Sequence, residues 1–305
     1  MKKNILIKNF KIIAHRFGYL MTEYPENSYD AINTIFKNKE LLDSCDGFEF
    51  DICFTKDNIP VVTHDKYIDD ISNKTGYIKD YTLEELKQIK FTFRKSLNIK
   101  NNYTFNILTL EEILNFFNSN KKLLNKKIIK IETKEPLKKQ KKNLLNLAII
   151  LDRYKELNYN IIHLSYHPYN LLLLKRIQIK YKYNIIKNDL LCDYKFPLVY
   201  TLSNKIDNIS LRLKMKNFPK KNKNNTKRVN KKIFIDKFLM KFSNITNEKT
   251  IKKIVNKYNS VGIFVLNTLE DFDYLFNKVN INYLESIKDK IYITTDNPIY
   301  FKKIK

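Results

Sequence analysis

Two histidine clusters bracket an acidic pair near the N-terminus: Ala14-His15-Arg16, then Glu49-Phe50-Asp51, then Thr63-His64-Asp65. Histidine titrates near neutrality, so His15 and His64 are candidates to take and give protons. Carboxylates at i and i+2 of a strand point to one face, where they repel unless a cation sits between them. Glu49 and Asp51 therefore make half of a site for one hard divalent cation, Mg²⁺ or Ca²⁺. Alone, Glu-x-Asp is common and usually an exposed or ion-paired couple. Here Phe48, Phe50 and Ile52 mark a buried strand, in which unpaired acids are costly. Ile131-Glu132-Thr133-Lys134 repeats the pattern: Glu132 can complete a three-carboxylate metal set, and Lys134 faces the same cavity as a phosphate ligand. Two proton-transfer groups beside a hard-metal set suit metal-dependent cleavage of a phosphodiester.

These residues need a scaffold that brings distant strand ends together. Short β-rich runs cover residues 11–14, 47–52, 127–132, 160–164, 197–201, 261–265 and 290–293, with helical stretches between them. The stretch 28–38 follows Pro25-Glu26-Asn27, and Thr82-Leu83-Glu84-Glu85 and Thr109-Leu110-Glu111-Glu112 both carry the capping-box signature of a helix start. Alternating strands and helices imply a parallel sheet, and seven or eight units imply an α/β fold closed as a single (β/α)₈ TIM barrel. An open doubly wound sheet is the alternative. His15 and His64 follow apolar strand residues, the position at which barrel enzymes carry their active groups. Between the acidic strand and Val61-Val62-Thr63-His64 only residues 53–60 intervene, too few for a crossover helix, so a hairpin or an extended return is expected. Residues 66–106 are the expected small insertion after the second histidine motif.

The chain has 305 residues, and its longest apolar runs, 147–151 and 171–174, fall well short of the roughly 20 residues of a membrane span. Lys8 interrupts Ile5-Leu6-Ile7 before a cleavable export segment can form, and Cys45, Cys53 and Cys192 show no metal or redox spacing. A single soluble domain over 1–305, working in the cytoplasm, is expected. The net charge of +25 raises a nucleic-acid reading. With only 4 Gly and no Trp beside abundant Lys, Asn, Ile, Tyr and Phe, however, a coding bias accounts for that charge, and no specific nucleic acid is expected. Residues 214–232 hold eight Lys and Arg228 without an acid, which reads as a solvated, mobile basic loop able to rest weakly on an anionic membrane.

The sequence resembles the glycerophosphodiester phosphodiesterase family, a branch of the phospholipase-C-like barrel phosphodiesterases. The resemblance rests on His15-Arg16-Phe17-Gly18, Pro25-Glu26-Asn27-Ser28, the run from Gly47 to Ile52, Val61-Val62-Thr63-His64-Asp65, Ile131-Glu132-Thr133-Lys134, Ser165-Tyr166 and Thr294-Thr295-Asp296-Asn297-Pro298. Three departures stand out. Phe17 splits the Arg-Gly pair, Asp70 stands where a basic residue is expected, and no tryptophan precedes Asn267.

The resemblance implies that Glu49, Asp51 and Glu132 hold the cation, that Arg16 and Lys134 bind phosphate, and that His15 and His64 serve as general base and general acid. It implies attack by the substrate's own glycerol hydroxyl, a cyclic phosphate, and release of glycerol 3-phosphate and an alcohol. Glu26, Asn27 and Asp296 are read as holding loops, and His163 and His167 as structural. Two other readings differ in what they predict. A lysophospholipid or sphingolipid substrate would require an apolar channel beside the metal, and a basic binding protein with an inert site would show salt-dependent binding that survives loss of His15.

Overall fold

A computed structural model describes residues 9–99, 102–124, 126–137, 140–157, 161–184, 186–192, 208–212, 248–276 and 278–303. Eleven strands occur among them: β1 Lys11–Ala14, β2 Gly47–Phe54, β3 Pro60–Val62, β4 Phe91–Thr92, β5 Thr104–Phe105, β6 Ile128–Thr133, β7 Ile161–Ser165, β8 Lys187–Cys192, β9 Asn208–Arg212, β10 Ser260–Phe264 and β11 Ile291–Thr295. Eight of these form a parallel cycle, β1-β2-β6-β7-β8-β9-β10-β11, and β11 pairs back with β1 to close it. The chain is thus a (β/α)₈ barrel, not an open sheet. β3 returns antiparallel along the far end of β2, so the short connection is a hairpin and not another barrel strand.

β2 shows how the sequence builds the barrel wall. Its Phe48, Phe50 and Ile52 belong to the core shared with Leu114 and Phe117 of the helix Leu110–Ser119 and with Ile129 and Ile131 of β6. Alternation then turns Glu49 and Asp51 to the opposite face, the barrel interior. Gly47 is required where β2 crosses β6, because a Cβ there would meet the Ile128 carbonyl oxygen at 2.4 Å. Phe50 is fully buried, with ring centroids 5.2 Å from Phe17 and 6.3 Å from Phe117. Phe50→Ala is expected to destabilise the fold by about 3–5 kcal/mol in denaturant unfolding; a loss below about 1 kcal/mol would mean that this seam is not a packed core.

The helix Tyr29–Lys37 begins at Ser28, whose Oγ accepts from Ala31 N–H, and both Thr82 and Thr109 form reciprocal capping boxes. The segment expected as an insertion, 66–106, carries the helix Leu83–Lys87 and the small β4–β5 hairpin. It packs Ile68, Ile71, Ile78, Leu86 and Phe91 onto Cys53 and Val61 of the β2–β3 ribbon. Two barrel strands, β8 and β9, have no counterpart among the runs expected from sequence. The expected strand at 197–201 and the basic loop at 214–232 lie outside the described residues.

Candidate active site

Each candidate side chain sits just beyond, or on the inward face of, a barrel strand, except His64, which follows the antiparallel hairpin arm β3. At the end of β1 the backbone turns through Arg16, Phe17 and Gly18 with φ of 49°, 65° and 61°, all left-handed. Such angles are costly for side chains with a Cβ. Phe17 compensates by burying its ring completely against Phe50, so the residue that splits the Arg-Gly pair serves as a wedge holding the turn. The turn brings the Arg16 N–H to 3.1 Å from Glu49 Oε2 and presents the His15 ring beside the same carboxylate, with Nε2 3.8 Å from Oε2.

Glu49 and Asp51 from β2 and Glu132 from β6 are all buried, and one oxygen from each lies within 4.8 Å of the others. An ion with bonds of about 2.0–2.6 Å holds oxygens at such separations, and an all-carboxylate set suits a hard cation. The electrostatics agree. Burial, with the charges of Asp51 and Glu132, pushes the Glu49 carboxyl well above its usual range. Glu132 is pushed up to about 7 by burial and Asp51, against the pull of Lys134. Asp51, though fully buried, is held far below the carboxylate range by Lys134, His64 and Arg16. Lys134 Nζ reaches Asp51 Oδ1 at 2.8 Å and Glu132 Oε1 at 2.7 Å, supplying part of the positive charge the cluster needs.

Each histidine is oriented by a carboxylate. His15 Nδ1 lies 2.6 Å from Asp296 Oδ1, just past β11, and Asp296 Oδ2 accepts from Asn267 Nδ2 at 2.7 Å. Asn267 Oδ1 in turn accepts from the Asp296 N–H and the Thr295 hydroxyl, both at 2.9 Å. Burial opposes the charge on Asp296, but hydrogen bonds from His15 and Asn267 hold its pKa down. His64 follows β3, its Nδ1 2.8 Å from Asp65 Oδ1, and burial lowers its pKa. With Nδ1 engaged in each ring, Nε2 is left to face a substrate.

Arg16 clasps Glu26 through Nη1 at 3.0 and 2.8 Å, and its Nε stands 3.5 Å from Asp51 Oδ2. Asn27 Nδ2 donates to Asp51 Oδ2 at 3.2 Å. Thus all seven residues read as site residues, His15, Arg16, Glu49, Asp51, His64, Glu132 and Lys134, converge. His163 lies elsewhere, bonded through Nε2 to Thr133 Oγ1 at 3.1 Å, with burial lowering its pKa to about 3. His167 hydrogen-bonds the Lys134 backbone and is half-buried.

Sequence reasoning missed Arg94, which reaches Glu26, Asp65 and His64 from the insertion. Asp70 stands 3.9 Å from that guanidinium, so the positive charge expected at 70 comes from another position. A small, mainly apolar pocket of about 30 Å³ adjoins His64 and is walled by Phe91, Phe93, Leu97, Phe105 and Val62.

Several known proteins resemble this chain. The model of the glycerophosphoryl diester phosphodiesterase family matches residues 20–266, a stretch that begins just after the His15-Arg16 turn. A glycerophosphodiester phosphodiesterase of Caldanaerobacter subterraneus is 41% identical over 78 residues, covering 26% of this chain and 29% of that protein. Human glycerophosphodiester phosphodiesterase 1 is 39% identical over 77 residues, 25% of this chain and 21% of the relative. The chain therefore spans under a third of the length of the curated relatives it matches. Among solved structures, a putative glycerophosphoryl diester phosphodiesterase of Silicibacter pomeroyi superposes with a TM-score of 0.68 at 13% identity, covering 99% of this chain and 96% of that one. A phosphodiesterase of Oleispira antarctica, solved with the product sn-glycerol-3-phosphate, gives 0.66 at 15% identity and 96% coverage of both chains. At such identities the two structures speak for the barrel alone.

Proposed function

The chain belongs to the glycerophosphoryl diester phosphodiesterase family, and from that premise we propose that it hydrolyses glycerophosphodiesters to glycerol 3-phosphate and an alcohol, as one catalytic unit. The observation that carries this reading is the convergence of three buried carboxylates with two histidines, each ring held through Nδ1 by its own carboxylate.

A hard divalent cation, Mg²⁺ or Ca²⁺, held by Glu49, Asp51 and Glu132 would supply charge neutralisation for the phosphodiester. Arg16 and Lys134 bind the same phosphate oxygens and keep their charge fixed by pairing with Glu26, Asp51 and Glu132. His15 takes the proton of the substrate's glycerol hydroxyl on Nε2, while Asp296 supports the resulting imidazolium through Nδ1–H. The hydroxyl oxygen bonds to phosphorus as the alcohol's P–O bond breaks, and His64 gives its Nε2 proton to the departing oxygen. A cyclic glycerol phosphate remains, and water opens it with the proton roles reversed. We place the reaction in the cytoplasm. Cys45 and Cys53 are both free and buried, and no described helix is long and apolar enough to cross a membrane.

The test is incubation with glycerophosphocholine and Mg²⁺ or Ca²⁺, with and without EDTA, following glycerol 3-phosphate by a coupled dehydrogenase. Metal-dependent release supports the reading; no release with a metal bound counts against the substrate. The apolar cavity beside His64 favours a second reading, in which the same site acts on lysophospholipid or sphingolipid diesters. Turnover of such lipids in preference to glycerophosphocholine would select it.

The carboxylates set a pH dependence of their own. Glu132 is shifted up from 4.5 to about 7 in the folded protein, so its contribution to stability is present at acid pH and is lost as pH rises through that value. A bound cation takes the place of the proton. The gain in Tm on adding Mg²⁺ or Ca²⁺ is therefore expected to grow between about pH 5 and 7.5. A gain that does not change with pH would show that Glu132 plays no part in holding the ion.

A further inference from the structure

One side chain of the inserted segment reaches the reactive groups. Arg94 precedes the short turn Lys95–Leu97 and spreads its guanidinium across acids from three places in the chain. Nη2 and Nε lie 2.5 and 3.0 Å from Glu26 Oε1, and Nη1 lies 2.5 Å from Asp65 Oδ2 and 3.9 Å from Asp70 Oδ2. Nη2 also stands 3.3 Å from His64 Nδ1. We propose that Arg94 is a positioning residue for His64: by clamping Asp65 and Glu26 beside the ring, it fixes which nitrogen faces the departing alcohol. This rests on the reading of His64 as the proton donor.

Two groups compete for His64 Nδ1. A carboxylate can only accept, so Asp65 requires Nδ1–H, whereas a guanidinium can only donate and would require a bare nitrogen. One nitrogen cannot serve both. The carboxylate is nearer, at 2.8 Å against 3.3 Å. Arg94 also ion-pairs with the other oxygen of that carboxylate, at 2.5 Å, which keeps Asp65 beside the ring. The guanidinium therefore acts through Asp65, and Nε2, which has no hydrogen-bond partner among the described residues, is the nitrogen presented to substrate.

The positive charge of Arg94 beside the ring also makes an imidazolium readier to release its proton. Asp51, Arg16 and Lys134 act on the same ring by charge and would remain in an Arg94 variant. The same guanidinium shares Glu26 with Arg16, so the phosphate-binding arm and the proton donor are braced by one residue of the insertion. Attachment of the insertion does not depend on Arg94 alone, because the Tyr103 hydroxyl separately bonds Asp30 of the helix Tyr29–Lys37.

Arg94→Met, Arg94→Lys and Tyr103→Phe separate positioning from attachment. The readouts are the His64 titration and ring-nitrogen shifts by NMR, with the peak assigned by its absence in His64→Gln, together with kcat and KM. Arg94→Met is expected to raise the His64 midpoint by about half to one pH unit and to change its tautomer balance. It should lower kcat about tenfold or more, with KM within about threefold, and Arg94→Lys should recover part of kcat. Tyr103→Phe should leave all of these as in the wild type. A folded Arg94→Met protein with an unchanged His64 midpoint and tautomer overturns the proposal, as does an equal shift in Tyr103→Phe. If the wild type hydrolyses no glycerophosphodiester, the functional reading fails on its own, while the NMR titration still decides the role of Arg94.

Discussion

Asp51→Asn is expected to yield a folded protein that no longer binds Mg²⁺ or Ca²⁺ and turns over glycerophosphodiesters at least about 10³-fold more slowly. Asp51 is the fully buried member of the acidic triad and the one held most firmly ionised, by Lys134, His64 and Arg16. Glu49 and Glu132 are both pushed toward the neutral form, so Asp51 brings the permanent negative charge. Asparagine keeps the shape and leaves Lys134 and Arg16 facing a site with one anion fewer, which repels a cation rather than attracting it. Isothermal titration with each metal and the glycerol 3-phosphate assay measure the two effects separately. Wild-type metal affinity in Asp51→Asn would remove this residue from the ligand set.

The histidines should behave differently, losing the chemistry and keeping the metal. His15→Ala and His64→Ala are each expected to lower kcat by about 10²–10⁴-fold while metal affinity stays near that of the wild type. Their separate roles emerge when the leaving group is varied. An aryl alcohol departs without much help from an acid, whereas choline or ethanolamine needs protonation. His64→Ala should therefore lose far less with an aryl diester than with glycerophosphocholine, and His15→Ala should lose similarly with both. The reverse pattern would exchange the two assignments. Equal, small losses in both variants would mean that neither ring moves a proton in the rate-limiting step.

The parts of the molecule legible in the sequence are those in which local pattern and function coincide. β2 could be read because Phe48, Phe50 and Ile52 alternate with Glu49 and Asp51, so one short run announces both the core and the site. The capping boxes at Thr82 and Thr109 are local signals and form as expected. β8 and β9 were not legible, because Lys187-Asn188-Asp189 and Asn208, Ser210 and Arg212 interrupt any apolar run, and the neighbouring strands complete the wall. Arg94 carries no motif either. Its role comes from a fold-back that sets it beside Glu26, 68 positions earlier in the chain, and nothing in its flanking residues announces that meeting. The sequence shows Asp296 only as a loop residue, because its tie to the His15 ring depends on β11 lying against β1.

That last pairing has a consequence for how the protein comes into being. His15 and Asp296 are separated by 281 positions, and the strand ahead of Asp296 is the one that closes the ring onto β1. During synthesis the three acids and His64 emerge well ahead of residue 296, so the His15 ring, proposed as the proton acceptor, has no Asp296 beside it until β11 has been made and paired. A chain halted before β11 would leave β1 with an unpaired edge and His15 free to turn. Pairing of β11 with β1 therefore sets the point in folding at which the His15 ring gains its carboxylate: the three acids can gather earlier, but that ring is oriented only once the barrel closes.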